Sequence, residues 1–401
     1  MKNSDSLFEI AEVTTGDKDA NYADHNGQYT FFTCAKDQLR SPTYSFDDSA
    51  IILPGNGANV GEVFFYRGKF EAYQRTYVVH KIKINPKFLY YHFLWNWRRE
   101  TASKQYGSAT NYIKIGNFKD YQVSRFEDSE QKRIVAKLDK LFARLDQIKA
   151  RLDQVPVLLK QFRQAVLTHA VTGKLTGKKF GLVKLGSVLS DVTYGTSTKS
   201  DYKTKGIPIL RIPNIKNGGI DNGDLKFSTL SDDEYQKLKL LIDDVLIIRS
   251  NGSLDIVGQA AIVRKDDEGK AFAGYLIRLR TKQSLNPEYL NYCLQSLLLR
   301  AQIVEYAHST SGVNNINSKQ IQGLEIPLPT IKEQMEIVRR VESLFALADK
   351  IEASYDKLKE KTNHLPQAIL TTAFRGELVE QDENNTYANS LLKTMRVEMT
   401  G

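Results

Sequence analysis

At 401 residues the chain is too long for one ordinary domain and fits two or three. An apolar fraction of 41%, with 10% aromatic residues, is enough for real cores and excludes a disordered chain. The net charge of +9, from 56 Lys+Arg against 47 Asp+Glu, suits a polyanionic partner because each neutralised phosphate releases counterions, although a basic protein without nucleic acid has the same balance.

No apolar run reaches the ~18 residues needed to cross a bilayer, and no apolar segment follows Met1–Asp5, so the expectation is a cytoplasmic protein with no membrane partner. Cys34 and Cys293 lack CxxC spacing and read as buried, reduced thiols. The six histidines are scattered, so no metal site is expected.

Residues 1–127 read as a first mixed α/β domain. Its strand candidates are Tyr29–Thr33, Ile51–Leu53 and Tyr77–Ile84, and a helix is expected over Pro86–Arg99. Gly55-x-Gly57-x-x-x-Gly61 precedes the strand-like Glu62–Tyr66, whereas a dinucleotide-binding loop must open a helix, so that reading is rejected.

Residues 128–178 follow as a helical spacer. Ile134, Leu138, Leu141, Leu145, Ile148, Leu152 and Val155 alternate by four and three, the a/d rhythm of a coiled coil, beside a basic face of Lys132, Arg133, Lys137, Lys140, Arg144 and Lys149. Pro156 interrupts the pattern. A helix from Ser129 to Gln154 would run roughly 39 Å, near the ~34–36 Å of one duplex turn.

A second mixed α/β domain is expected over 179–329, with strands at Ile207–Ile212, Val245–Ile248 and Ala260–Val263 and a helix over Pro287–Tyr306. A second spacer occupies 330–380. It opens on the capping box Thr330-x-x-Glu333 and carries the seam Ile337, Val341, Leu344, Ala348, Ile351, Tyr355 and Leu358. Pro366 suits the first turn of a separate, shorter helix. Residues 381–401 read as a loose tail.

The two spacers are copies of one another. Residues 131–175 match 334–378 without a gap, with 17 identities in 45 positions, among them Gln131/Gln334, Ile134/Ile337, Gln164/Gln367 and Gly173/Gly376. Weaker anchors lie upstream. Asn85–Tyr91 answers Asn286–Tyr292, Gly107–Ile113 answers Thr310–Ile316, and Leu7–Ile10 answers Leu182–Leu185. The expected unit is a variable domain followed by a spacer, used twice, with the long helices packed on each other as an antiparallel coiled coil. The open alternative is that each packs only on its own domain.

Base edges are read by Arg and Lys on guanine and by Asn and Gln on adenine. Candidates in the first domain are Lys36, Arg40, Asn56, Asn59, Gln74 and Arg75; in the second they are Lys199, Lys203, Arg211, Asn214, Lys216, Arg249, Asn251 and Ser253. A catalytic centre is not expected. GxxxxGK[ST] is absent, as is an Asn- or Asp-Pro-Pro-aromatic motif; Glu268-x-Lys270 sits in a charged turn, and Ser309 beside His308 lacks a third member.

With Leu328-Pro329-Thr330-Ile331-Lys332-Glu333-Gln334 opening a helix and Gln367-Ala368-Ile369-Leu370-Thr371-Thr372-Ala373-Phe374-Arg375-Gly376-Glu377-Leu378 closing one, the repeat resembles the specificity subunits of type I restriction–modification systems over nearly the whole chain. The resemblance implies a non-catalytic subunit whose two target recognition domains read a split site on double-stranded DNA. It implies docking to two methyltransferase subunits, which use S-adenosylmethionine, and to restriction subunits, which use ATP and Mg. The alternatives left open are a specificity subunit of another restriction class, an enzyme with an unrecognised site, and a coiled-coil scaffold that binds only protein.

Overall fold

The protein is described by a computed structural model covering residues 4–102, 111–307 and 312–380. The His308/Ser309 pair, the 381–401 tail and the Gly107–Thr110 and Thr310–Ser311 parts of the repeat lie outside these residues. The chain divides into two compact units, one comprising 1–152 with 357–401, the other 153–356.

In the first unit a six-stranded sheet runs in the order Glu12–Thr15, Thr76–His80, Phe46–Pro54, Phe64–Ala72, Tyr29–Phe32, Leu39–Ser41. All neighbours are antiparallel except Tyr29–Phe32 with Phe64–Ala72. The central strand carries Ala50, Ile51, Ile52 and Leu53, all fully buried, because both of its faces are covered. One face packs on the helix Pro86–Ala102 through Phe88, Leu89, Phe93 and Trp97, while Phe32, Ile52 and Phe70 form a smaller cluster.

The second unit repeats this sheet with one interruption. Leu189–Tyr194, Leu276–Thr281, Val245–Ile248 and Ala260–Ile262 form four strands in order; Ala271–Phe272, Ile207–Leu210 and Lys226–Ser228 form three more, with the same parallel pair. The strand Phe64–Ala72 thus corresponds to two short strands separated by residues 263–270. That insertion is fastened by a buried ion pair, Lys270 Nζ to Asp267 Oδ1 at 2.8 Å, and by Asn222 Nδ2 donating to the same oxygen. The Glu268-x-Lys270 motif is therefore a structural turn. Pro287–Tyr306 is two helices, Pro287–Gln295 and Leu297–Ala307, separated at the buried Ser296.

A long helix, Asp128–Leu152, ends two residues before a second helix, Val155–Val171, which accommodates Pro156 in its first turn. The second spacer differs from expectation. Ile331–Phe374 is one continuous 44-residue helix with Pro366 inside it rather than at the start of a shorter one. Proline there removes the N–H that would bond the Thr362 carbonyl. The helix continues because Leu370, Ala373 and Phe374 beyond it are buried in the first unit's core.

Each spacer copy is divided between the units. Ile134 and Leu138 enter the first unit's core together with Leu370 and Phe374; Ile337 and Val341 enter the second unit's core together with Val166, Leu167 and Ala170. The first two seam positions of each copy thus serve a globular core. Further along, Leu145 and Ala348 are buried, Leu141, Leu152, Leu344 and Tyr355 are half-buried, and Ile148 and Ile351 are exposed.

The identical glutamines explain how each helix is fixed. Asn85 accepts from the N–H groups of Lys87 and Phe88, capping a helix that starts on proline, and Asn286 accepts from Tyr289 N–H in the same way. The backbone N–H of each cap is taken by the repeat glutamine: Asn85 N–H donates to Gln131 Oε1 at 3.1 Å and Asn286 N–H to Gln334 Oε1 at 2.7 Å. Gln131 Nε2 then donates to the Phe126 carbonyl, and Gln334 Nε2 to those of Ser284 and Pro329. The second identical pair holds the same two helices further along, with Gln164 Nε2 donating to Gln295 O and Gln367 Nε2 to Trp95 O.

Cys293 is buried and free, its thiol pushed up to about 12 by burial; Cys34 is free and half-buried. Among the described residues, no helix is long and apolar enough to cross a membrane.

Candidate nucleic-acid interface

The central buried strand of each sheet runs into a polar loop, and in both units the loop is pinned by the same backbone pattern. In the first, Gly55 N–H donates to Arg75 O at 2.9 Å, Ile113 N–H donates to Gly55 O at 2.9 Å, and Gly57 N–H donates to Asn111 O at 2.8 Å. In the second, Arg249 N–H donates to Tyr275 O at 2.9 Å and Ile316 N–H to Arg249 O at 2.8 Å, while Asn251 pairs with Asn314. Gly55 thus corresponds to Arg249, Arg75 to Tyr275, and Tyr112 to Asn315.

An added Cβ at Gly55 would stand 2.2 Å from the Arg75 carbonyl oxygen, so the first-domain backbone as it lies has room only for glycine, whereas the second domain accommodates Arg249 at the corresponding place. With no side chain there, a cleft of about 350 Å³ stays open, lined by Asn56, Gln74, Arg75, Tyr77 and Tyr112 among others. Arg75 and Gln74 are exposed at its edge, Gln74 Nε2 reaching Asp19 Oδ2 at 3.4 Å. Asn56, Gln74 and Arg75 are therefore brought together.

The remaining first-domain candidates differ. Lys36 is exposed in the turn after Tyr29–Phe32. Asn59 Nδ2 donates to Cys34 O at 2.8 Å, so its amide ties that turn to the glycine loop. Arg40 lies on the outermost strand with Nε and Nη2 bonded to the carbonyls of Gly27 and Gln28, which anchors a turn and leaves less of the guanidinium for a partner.

In the second unit Arg249, Asn251 and Ser253 share one loop. Arg249 Nε donates to Asn315 Oδ1 and Nη1 to Gly274 O, both at 3.3 Å, and its guanidinium lies over the Tyr194 ring at 5.0 Å. Asn251 Oδ1 accepts from Ser253 N–H at 2.8 Å, holding the loop's shape. Tyr275, 62% exposed, stands beside them.

Arg211, Asn214 and Lys216 form a separate cluster around Asp221 and Asp224. Asn214 is 1% exposed, accepting from Arg211 N–H and donating to the carbonyls of Asp221 and Asp224, so it shapes the turn and has no free edge for a base. Arg211 pairs with Asp224 at 2.9 Å and Lys216 with Asp221 at 2.5 Å. Lys216, then the Gly223 N–H, hold the Asp221 carboxyl below its ordinary value; the Tyr202 hydroxyl, then Arg211, do the same for Asp224. Both cations are thus partly neutralised. Lys199 and Lys203 are exposed on the preceding loop, where Asp201 Oδ1 accepts from Lys203 N–H.

Sequence reasoning missed Tyr77, Tyr112, Tyr194, Tyr275 and Asn315. The match of Gly107–Ile113 with Thr310–Ile316 was the available signal for Tyr112 and Asn315. An aromatic residue at a strand end cannot be told from a core residue by pattern alone.

A family model described as the Type I restriction modification DNA specificity domain matches residues 2–156 and 178–360. The Type I restriction enzyme EcoKI specificity subunit of Escherichia coli K12 is 38% identical over 71% of this chain, a region spanning 64% of that relative's length. The EcoDI specificity subunit of Escherichia coli is 34% identical over 94% of this chain and 88% of its own. Among solved structures, a chain from work on complex assembly and conformational transition of the type I R-M system superposes with a TM-score of 0.68 at 17% identity, covering 94% of this chain and 98% of its own. The HsdS subunit from Thermoanaerobacter tengcongensis does so at 0.62 and 18%, covering 94% and 97%. At those identities the two structures speak for the fold.

Proposed function

The chain belongs to the Type I restriction modification DNA specificity family, and we propose that it is the non-catalytic subunit that reads a split DNA site for a type I restriction–modification complex. Residues 1–127 and 179–329 are the two reading domains. The carrying observation is the same pinned loop at the end of the same central strand in both, each beside an arginine and exposed or half-exposed tyrosines. Arginine reads guanine edges or grips phosphate, and amides read adenine.

The spacers 128–178 and 330–380 set the unread gap between the half-sites. Asp128–Leu152, at 25 residues, spans roughly 37 Å. Along them the complex docks two S-adenosylmethionine-dependent adenine methyltransferase subunits, and restriction subunits using ATP and Mg join it in the cytoplasm.

The test is genome-wide mapping of N6-methyladenine in host cells with and without this gene. Loss of one motif, two short fixed halves around an unspecified gap, is the expected result. If the partner methyltransferase is expressed and no motif changes, the reading fails and a protein-binding scaffold replaces it.

A further inference from the structure

The homologous loops are built alike but present different chemistry at the same place. Gly55 leaves an open cleft in the first domain, whereas Arg249 in the second carries a guanidinium. That guanidinium is held on three sides, by Asn315 Oδ1 at Nε, by Gly274 O at Nη1 and by the Tyr194 ring face. Tyr194 is itself fixed, its hydroxyl accepting from Ser318 N–H at 2.8 Å. The bonds to Arg249 use two of five N–H donors, and no partner for Nη2 is recorded among the described residues.

An arginine held in this way loses little side-chain entropy when it meets a ligand. The partner that matches two adjacent guanidinium donors on a base pair is guanine, through O6 and N7 in the major groove. A phosphate would match the charge as well. Yet phosphate contacts position a protein without specifying sequence and do not need a rigid fork.

We propose that Arg249 reads a guanine in the half-site of the second domain, and that the first domain, with Gly55 at the corresponding place, does not read guanine there. This rests on the specificity-subunit reading above. Arg75, the nearby arginine of the first domain, comes instead from the position of Tyr275, so the arginine stands at a different place in each domain.

The experiment uses the full chain with its methyltransferase and a duplex carrying the motif found by methylation mapping. Each guanine of the motif is replaced in turn by 7-deazaguanine, which lacks the N7 acceptor. The wild-type complex is expected to lose affinity about 10–100-fold at one guanine, confined to one half-site. Arg249→Ala should lose affinity by a similar factor for the unmodified duplex and show no further loss with that 7-deazaguanine. Arg249→Lys, which keeps the charge but not the held fork, should recover only part of the lost affinity and stay less sensitive than wild type to that 7-deazaguanine. Equal sensitivity of wild type and Arg249→Ala to every 7-deazaguanine overturns the proposal, as does a motif with no guanine in either half. An affinity loss that disappears at high salt and is indifferent to base identity assigns Arg249 to phosphate and also overturns it. If no split motif exists, the underlying functional reading fails instead, and mapping shows this before any variant is made. An unchanged melting temperature, with retained assembly with the methyltransferase, shows that the variants are folded.

Discussion

Replacing Gln334 by alanine removes an amide that is 0% exposed and makes three hydrogen bonds, to Asn286 N–H at 2.7 Å, Ser284 O at 3.0 Å and Pro329 O at 2.8 Å. The orphaned Asn286 N–H costs about 1–3 kcal/mol if it stays dry. The two carbonyls each keep a second lone pair and cost less, and the lost methylene adds about 0.8 kcal/mol. The expected destabilisation of the second unit is about 3–4 kcal/mol. Gln131→Ala removes only two bonds, at 3.1 and 2.9 Å, from a residue 6% exposed, so about 2 kcal/mol is expected in the first unit. Native-state hydrogen exchange reports each unit separately, through amides of 286–295 and of 86–97. Gln334→Glu preserves shape and the acceptor for Asn286 N–H but sets a carboxylate against two carbonyls. It should therefore be as damaging at neutral pH and partly recover in acid, where a protonated carboxyl donates once. A Gln334→Ala cost below about 0.5 kcal/mol, or a smaller cost than that of Gln131→Ala, refutes the clamp.

Both tryptophans, Trp95 and Trp97, lie in the first unit, so selectively excited tryptophan fluorescence follows that unit alone. Phe374 is 2% exposed and packs on Phe88, His92 and Trp95; Phe374→Ala should lower the stability read by fluorescence by about 3–5 kcal/mol, and an unchanged midpoint would show that the C-terminal helix end does not complete this core. His92 accepts from Ser124 N–H at Nε2 and lies 3.0 Å from Tyr121 Oη at Nδ1, so it is held neutral, its pKa pushed down to about 3 by burial. Because the folded value lies below the unfolded one, stability is complete above about pH 6.5 and falls toward pH 3, by up to about 1.4 kcal/mol per unit; His92→Gln should flatten that slope in a fluorescence-detected urea series. Glu333, held at about 2 by Lys178 and then by Thr330, keeps its capping bonds as the pH falls from 4.5, and loses them only near 2; Lys178→Ala should raise the pH at which the first-turn amides of Ile331–Phe374 begin to exchange, and no shift would exclude Lys178 as the cause. One heptad inserted after Arg144, with another after Leu347, should lengthen the unread gap of the methylated motif and leave both halves intact, whereas an unchanged gap would end the ruler proposal.

The sequence by itself determined the two-fold repeat, the presence of two mixed α/β domains and the helical character of both spacers. These follow from local features: a/d spacing, Asn-Pro caps and β-branched runs such as Val245–Ile248 act within a few residues, and a duplicated pattern remains visible after its surroundings diverge. Tertiary structure decided how the copies are shared. Leu370 and Phe374 read as the end of their own spacer, yet they are buried with Phe88 and Leu89, nearly 290 residues earlier, because an apolar helix face goes where a complementary surface completes a core. Pro366 read as a helix start for the same reason: the penalty of an interior proline is local, whereas the burial that outweighs it is not. The candidate site divides along the same line. Arg75, Gln74 and Arg249 were legible as residue types suited to base edges, but Asn214 and Asn59 have the same composition and turn inward to hold loops. Which polar side chains face outward depends on the pairing of Gly55 with Ile113 and of Arg249 with Ile316, contacts between segments nearly 60 or more residues apart that no local pattern encodes.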